Sequence, residues 1–399
     1  MEPMQLEPTL IKNGEYVVIR MPSTNSKIVC IKAGSTISLG KFGSFKASAL
    51  IGNTFGHTFE IEKGGTIKPH KQVGFDDADI TEANNKEIVD DPKSQKLSFE
   101  EIEKLKTKSL AGDVSAQEII ASLTENNESF AQKTEFSKSK YIRRKQNKFM
   151  KCFLPLETTI YNLCNFFFEA NPAKIRGIRA DTLAQLLSLA NVYSNARILA
   201  VDDGQGLLVG ALLSRLGEGG QVLGMHDGDV HNYDALRYTN FTAECKDRLQ
   251  TLAWSKINHK MAPFTEELPE NASQDDINGR ERRLRGHAKL THTLDNFRKG
   301  DFDALVVSTN YNPLSVIKQL VPRLGGSRML VVYDPSKEAL LESFAWLLES
   351  QEFLNVQLTE SWLREYQVLP KRTHPLMTMS GGGGYLLSAI HLAPSIGNE

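Results

Sequence analysis

The sequence predicts an α/β protein with a doubly wound, mostly parallel sheet, preceded by a small all-β domain. Three observations carry this prediction. From about Leu154 onward, strand-length apolar runs alternate with helix-length amphipathic ones. Residues 9 to about 75 hold short alternating runs parted by glycine and asparagine. Between these regions lies a charged, aromatic-poor stretch that turns strongly basic. The predicted division is 1–85 for an N-terminal β-barrel, 86–153 for a polar, helical and basic linker, and 154–399 for the α/β domain.

In the first region the strands are read from "EYVVIRM", "SKIVCIKAG", "STISLG", "GSFKASALIG" and "HTFEIEKGGTIKP". Their close spacing suits a small antiparallel barrel or sandwich. Lys41, Phe42, Phe45 and Lys46 are its only aromatic-basic cluster, so fold analogy alone assigns it no function. "DDADITEANNKEIVDDPKSQKLS" is expected to be a linker or a segment ordered by a partner. Ser98 followed by Glu101 is a capping box opening a helix with Ile102 and Leu105 on one face, and "SAQEIIASLTENN" is a second helix.

In the last region "TLAQLLSLANV" is helical, "RILAV" a strand, "LLVGALLSRLG" a helix closed by Gly217, and "GQVLGMH" a strand. "DALRYTNFTAEC" follows as a helix, then "FDALVVS" as a strand, "PLSVIKQLVPRLG" as a helix and "RMLVVYDP" as a strand. After the helix "KEALLESFAWLLES", the runs "NVQLTESWLREYQVL" and "GGYLLSAIHL" form a final antiparallel pair.

Composition narrows the function classes. Basic and acidic residues balance at 47 against 48 and 40% of residues are hydrophobic, as in a soluble globular protein. Cys30, Cys152, Cys164 and Cys245 are scattered without CxxC spacing, and the histidines show no ligand spacing, so no metal site is expected. A reducing, intracellular compartment is expected, with no membrane span.

"ARILAVDDGQGLLVGALLSRLG" has the shape of an S-adenosylmethionine (SAM) loop: buried strand, glycine turn, amphipathic helix. Set against the usual acidic-x-Gly-x-Gly-x-Gly pattern, the acidic position becomes Ala200 and the first glycine becomes Asp202, leaving Gly204 and Gly206. Asp202 would place a negative charge near the cofactor's carboxylate, a repulsion of roughly 1–4 kcal/mol within ~4 Å. At the next strand the ribose-binding acid is replaced by His226, and Asp227 could serve only with a slip of one residue. "DALVVSTNYNP" has the cadence of the strand end that carries the catalytic aspartate in adenine-N1 methyltransferases. Here Ser308 stands in that place and Asn310 replaces the following proline. The expected fold is therefore a Rossmann-like SAM-methyltransferase fold with a degenerate cofactor site, no catalytic residue and no cofactor in this chain. The glycine turn could equally be a plain strand-to-helix connection.

Four stretches, "NKEIVDDPKSQKLSFEEIEKLK", "KTEFSKSKYIRRKQNKF", "RADTLAQLLSLANV" and "TESWLREYQVLPKRTHPLMTMSGGGGYLLS", resemble the non-catalytic, tRNA-binding subunits of eukaryotic tRNA (adenine-58-N1)-methyltransferases. The resemblance runs along nearly the whole chain and is weakest from about Asn258 to Asn296. It implies a catalytic SAM-binding partner subunit in a heterotetramer of two plus two, tRNA lying across the subunit interfaces, N1-methyladenosine in the T-loop as product, and work in the nucleus. An active methyltransferase with an atypical loop is the alternative, and a scaffold that touches no RNA is a third reading.

Candidate RNA-binding residues fall in four places. Lys138, Lys140, Arg143, Arg144, Lys145 and Lys148 form the densest basic run, with Tyr141 and Phe149 available to stack on bases or to anchor the segment. Ser94, Gln95 and Lys96 could donate to phosphates at a helix start, or belong to a plain linker. Arg176 and Arg179 precede a helix that Asp181 is expected to cap. Arg364, Lys371, Arg372 and His374 surround a proline-bounded turn before Gly381, Gly382, Gly383 and Gly384, read as an RNA- or partner-facing loop or as a flexible hairpin. The cluster "GRERRLRGHAK", Arg280 to Lys289, is expected to be a mobile surface arm.

Overall fold

A computed structural model describes residues 9–22, 25–62, 64–70, 96–111, 114, 116–128, 130, 133, 135–266, 273–368 and 373–392. The chain divides into two compact units, residues 1–158 and 159–399.

The first unit contains β1 (Tyr16–Arg20), β2 (Ser26–Cys30), β3 (Thr36–Ser38), β4 (Ser44–Lys46), β5 (Phe59–Ile61) and β6 (Ile67–Pro69). Three helices follow, α1 (Phe99–Ala111), α2 (Ala116–Glu125) and α3 (Glu135–Phe149), and then β7 (Cys152–Glu157). Five strands form one sheet in the order β2-β1-β7-β5-β6, and β3 and β4 make a separate ribbon. The predicted barrel is thus an open sheet among the described residues. The ribbon covers it by packing Ile37, Phe42 and Phe45 into the same core as Val17, Ile19 and Phe153, with Phe45 stacked on Phe153 at 4.5 Å. Because β7 pairs with both β1 and β5, the boundary falls after Thr158 rather than at 153, and the helical segment belongs to this unit. The capping box forms as predicted, the Glu101 carboxylate accepting from the Ser98 amide at 2.8 Å.

The second unit opens with α4 (Ile160–Ala170), α5 (Ala180–Leu189), β8 (Arg197–Asp202), α6 (Leu207–Arg215) and β9 (Gln221–His226). There follow α7 (Ala243–Asp247), β10 (Leu249–Ala253), α8 (Gln274–Lys299), β11 (Phe302–Ser308), α9 (Pro313–Leu320), β12 (Leu324–Asp334) and α10 (Glu338–Glu349). The last described elements are β13 (Phe353–Trp362), the short hairpin β14 (Tyr366–Gln367) and β15 (His374–Pro375), and β16 (Gly382–His391). Seven strands make one sheet, β10-β9-β8-β11-β12-β16-β13, with β16 antiparallel to both neighbours. β8, β9, β11 and the second half of β12 are nearly continuous buried runs, as a sheet covered on both faces requires. Strand order reverses between β8 and β11, and the crevice outside their carboxyl ends is where such sheets place ligands.

Three differences from the sequence reading have physical causes. The predicted helix "DALRYTNFTAEC" is a 3-10 turn at Asp234–Tyr238 followed by α7, since Thr242 starts a new helix by accepting from the Cys245 amide. β10 pairs with β9 in parallel and was not predicted, because Gln250 and Thr251 interrupt its apolar run. The supposed mobile arm is α8, a 26-residue helix started by a capping box of Ser273 and Asp276.

Candidate functional site

At the end of β8 the loop 202–206 is closed by its own side chains. Gly206 is the N-cap of α6 and has no side chain to satisfy the helix amides. Asp202 supplies the acceptor instead, taking hydrogen bonds from the Gly204 amide at 2.7 Å and the Val209 amide at 3.0 Å. Its carboxylate therefore points into the loop rather than toward a bound anion, which corrects the expected repulsion. Burial raises its pKa to about 6 despite these amide donors.

Tyr233 fills the space beside Gly206 of the loop and Gly224 of β9. Gly206 has φ +79°, and a Cβ there would lie 2.5 Å from the Tyr233 Cβ; one on Gly224 of β9 would lie 2.6 Å from the Tyr233 hydroxyl. The hydroxyl donates to the Met225 carbonyl at 3.1 Å, and the Ala235 amide donates to the Gln205 carbonyl at 2.9 Å. His231 stacks on Tyr233 at 4.7 Å, and its ring meets His226 edge-on. His226 itself is buried at the ribose position, with Nδ1 facing the Asp227 carbonyl at 3.2 Å. A cofactor of the SAM type does not fit these residues. Its close-approach glycines already face a side chain, its ribose position holds no carboxylate, and Ala200 is a fully buried strand residue.

The rest of the crevice is a chain of internal hydrogen bonds. The Asp203 carboxylate accepts from the Thr309 hydroxyl at 2.9 Å and the Asn310 amide at 2.7 Å, while the Asp203 amide donates to the Ser308 carbonyl. Arg176 donates to the Asn310 side chain and, at 2.6 Å, to Asp334 at the end of β12. The Tyr333 hydroxyl donates to the Arg176 carbonyl at 3.1 Å. Arg176 and Asp334 are about nine-tenths buried, so Arg176 ties the ends of β11 and β12 together rather than facing a nucleic acid. Ser308, in the place of a catalytic carboxylate, is buried and has no group to accept a proton near neutral pH. Sequence reasoning missed Tyr233 and Asp334; the aromatic in "HNYDALRY" just after the eroded ribose position was the available signal.

Arg179 is likewise internal. It, and not Asp181, is the N-cap residue of α5; Asp181 grips its guanidinium at 2.6 and 2.7 Å. Arg179 also donates to the carbonyls of Gly381 and Gly382, and Thr182 donates to that of Gly383 at 2.9 Å. The glycine run thus packs into the domain as the start of β16, and a Cβ at Gly384 would strike Tyr333. Arg364 donates to the Leu376 carbonyl, and His374 Nδ1 faces the Pro375 carbonyl. Lys371 and Arg372 lie outside the described residues, as do Ser94 and Gln95. Lys96 is exposed and pairs with Glu128 at 2.9 Å.

On α3 the basic run and its aromatics separate by role. Tyr141 tilts against Phe130 at 5.5 Å and donates to the Leu123 carbonyl, while Phe149 is buried with Ile119, Ile120 and Leu123. These rings anchor the helix to α2 and are not free to stack on bases. Lys145 lies over the Tyr141 ring at 5.0 Å and Lys148 over Phe149 at 5.6 Å. Partial burial lowers the Lys145 pKa. Arg144 is exposed and Lys138 partly so; Lys140 and Arg143 lie on α3, with side chains outside the described residues.

The Gcd10p family model matches residues 10–282. The tRNA (adenine(58)-N(1))-methyltransferase non-catalytic subunit of Debaryomyces hansenii is 30% identical over 97% of this chain and 87% of its own length. Its Kluyveromyces lactis counterpart is 31% identical over 97% and 88%. Among solved structures, a SAM-dependent O-methyltransferase of Thermotoga maritima superposes with a TM-score of 0.54 over 96% of each chain at 11% identity, a likeness of fold alone. A methyltransferase sheet with a self-filled crevice and this match over most of its length are two sides of one assignment: the chain belongs to the Gcd10p family.

Proposed function

We propose that this chain is the non-catalytic, tRNA-binding subunit of a tRNA (adenine-58-N1)-methyltransferase, and that N1-methyladenosine forms only when it is joined to a SAM-binding catalytic subunit. One observation carries the reading: Tyr233 occupies the space beside Gly206 and Gly224, in a crevice whose Asp202, Asp203 and Arg176 are committed to internal partners. The relatives that share its length bear the name of that subunit. The chain's own part is to bind and position tRNA, with α3 as the principal phosphate-binding element through Lys138, Arg144 and their basic neighbours. The segments at 94–96 and 364–374 are further tRNA contacts in this proposal. The two-plus-two assembly and nuclear work belong to it too, and rest on the family resemblance.

The test is tRNA methylation with labelled SAM. The isolated chain is expected to transfer no methyl group, and the chain reconstituted with its catalytic subunit is expected to modify adenine 58. Methyl transfer by the isolated chain would overturn the proposal.

A further inference from the structure

We infer that the outward side of α8 is a second RNA-binding surface, where Arg282, Arg285 and Lys289 engage phosphates of the substrate backbone. The inference rests on the tRNA-binding function proposed above and adds a site to it. At 100° per residue these three positions fall within about 60° of arc and span roughly 10 Å along the axis. They lie on the opposite side of the helix from Arg280, Arg283 and His287, which tether α8 to the preceding segment. Arg280 donates to the Glu266 carbonyl at 2.7 Å, Arg283 Nε to the Glu266 carboxylate at 2.8 Å, and the His287 ring sits 2.8 Å from the Ala262 carbonyl. The basic residues of the cluster thus divide into a tethering set and an outward set.

The outward set is exposed, and among the described residues none of the three forms an ion pair, although Glu281 is adjacent. The helix under it is fixed. Its start is held by the Ser273–Asp276 capping box, and its last turns are buried through Thr293, Leu294 and Phe297. Lys289 is the last outward cation before that burial begins. Forked guanidiniums and an ammonium along a helix whose one large exposed apolar residue, Leu284, falls on another side suit a phosphodiester chain better than an apolar protein surface.

The experiment compares R282A/R285A/K289A with R144A/K138A, each reconstituted with the catalytic subunit, by tRNA affinity across a salt series. Losing three phosphate contacts should lower the slope of log affinity against log salt by about 2–3 and weaken binding most at low salt. Circular dichroism should stay unchanged, since the side chains are exposed. An unchanged slope in the α8 variant beside a lowered one in the α3 variant would overturn this inference and leave the proposed function intact. Unchanged slopes in both would overturn both. A variant that fails to join the catalytic subunit, yet binds tRNA normally as the free chain, would make the edge a protein-docking surface and likewise overturn the inference.

Discussion

Asp202 shows how a single environment decides a side chain's role. In the sequence it reads as a charge intruding on a cofactor loop; in the fold it is the missing cap of α6. Burial raises its pKa from 3.8 to about 6, so between those values the folded protein keeps a proton that the unfolded chain has released. Stability should therefore fall as pH rises from about 4 to about 6 and level off above that, a change of about 3 kcal/mol. Asp202→Asn should flatten this slope, checked by the denaturant midpoint between pH 4 and 7; an unaltered slope would contradict the assignment. Gly206→Ala forces a Cβ against Tyr233 at a left-handed φ and should cost about 2 kcal/mol or more, read from the same midpoint. Arg176 and Arg179 looked like RNA contacts because sequence shows charge and proximity to a helix. It does not show that Asp334 lies 158 positions away in the chain yet 2.6 Å away in space.

At the scale of elements, legibility followed the strength of the apolar pattern. β8, α6, β9, β11, α9, β12 and α10 stand near their predicted places because each carries an unbroken strand run or an amphipathic repeat. α8 escaped notice because only its last turns are buried, while Gly279, Gly286 and the arginines give the rest a polar, breaker-containing look. For α3 the charge pattern was plain, but the work of its aromatics was hidden until α2 was in place beside it. Phe149→Ala should loosen the α2–α3 pair at a cost of about 3–5 kcal/mol, seen as faster amide exchange in both helices. Arg144→Ala, on the exposed face, should leave exchange unchanged and lower the salt slope of tRNA binding by about 1. Faster exchange from the arginine change, or none from the phenylalanine change, would reverse these roles.

For the molecule as a whole, the α/β class and the antiparallel end of the sheet were legible because alternating strands and helices leave few topologies. The state of the crevice was only half legible. Lost glycines and a serine in place of a carboxylate are visible in one dimension, but the tyrosine that takes up the vacated space comes from a loop with no motif. Erosion and filling go together: the fold keeps the methyltransferase-type sheet while Tyr233, Asp202, Asp203 and Arg176 occupy and tie up its crevice. Calorimetric titration of SAM into the isolated chain tests this most directly. No saturable heat is expected up to millimolar SAM, and stoichiometric binding in the micromolar range would show the crevice to be open to the cofactor.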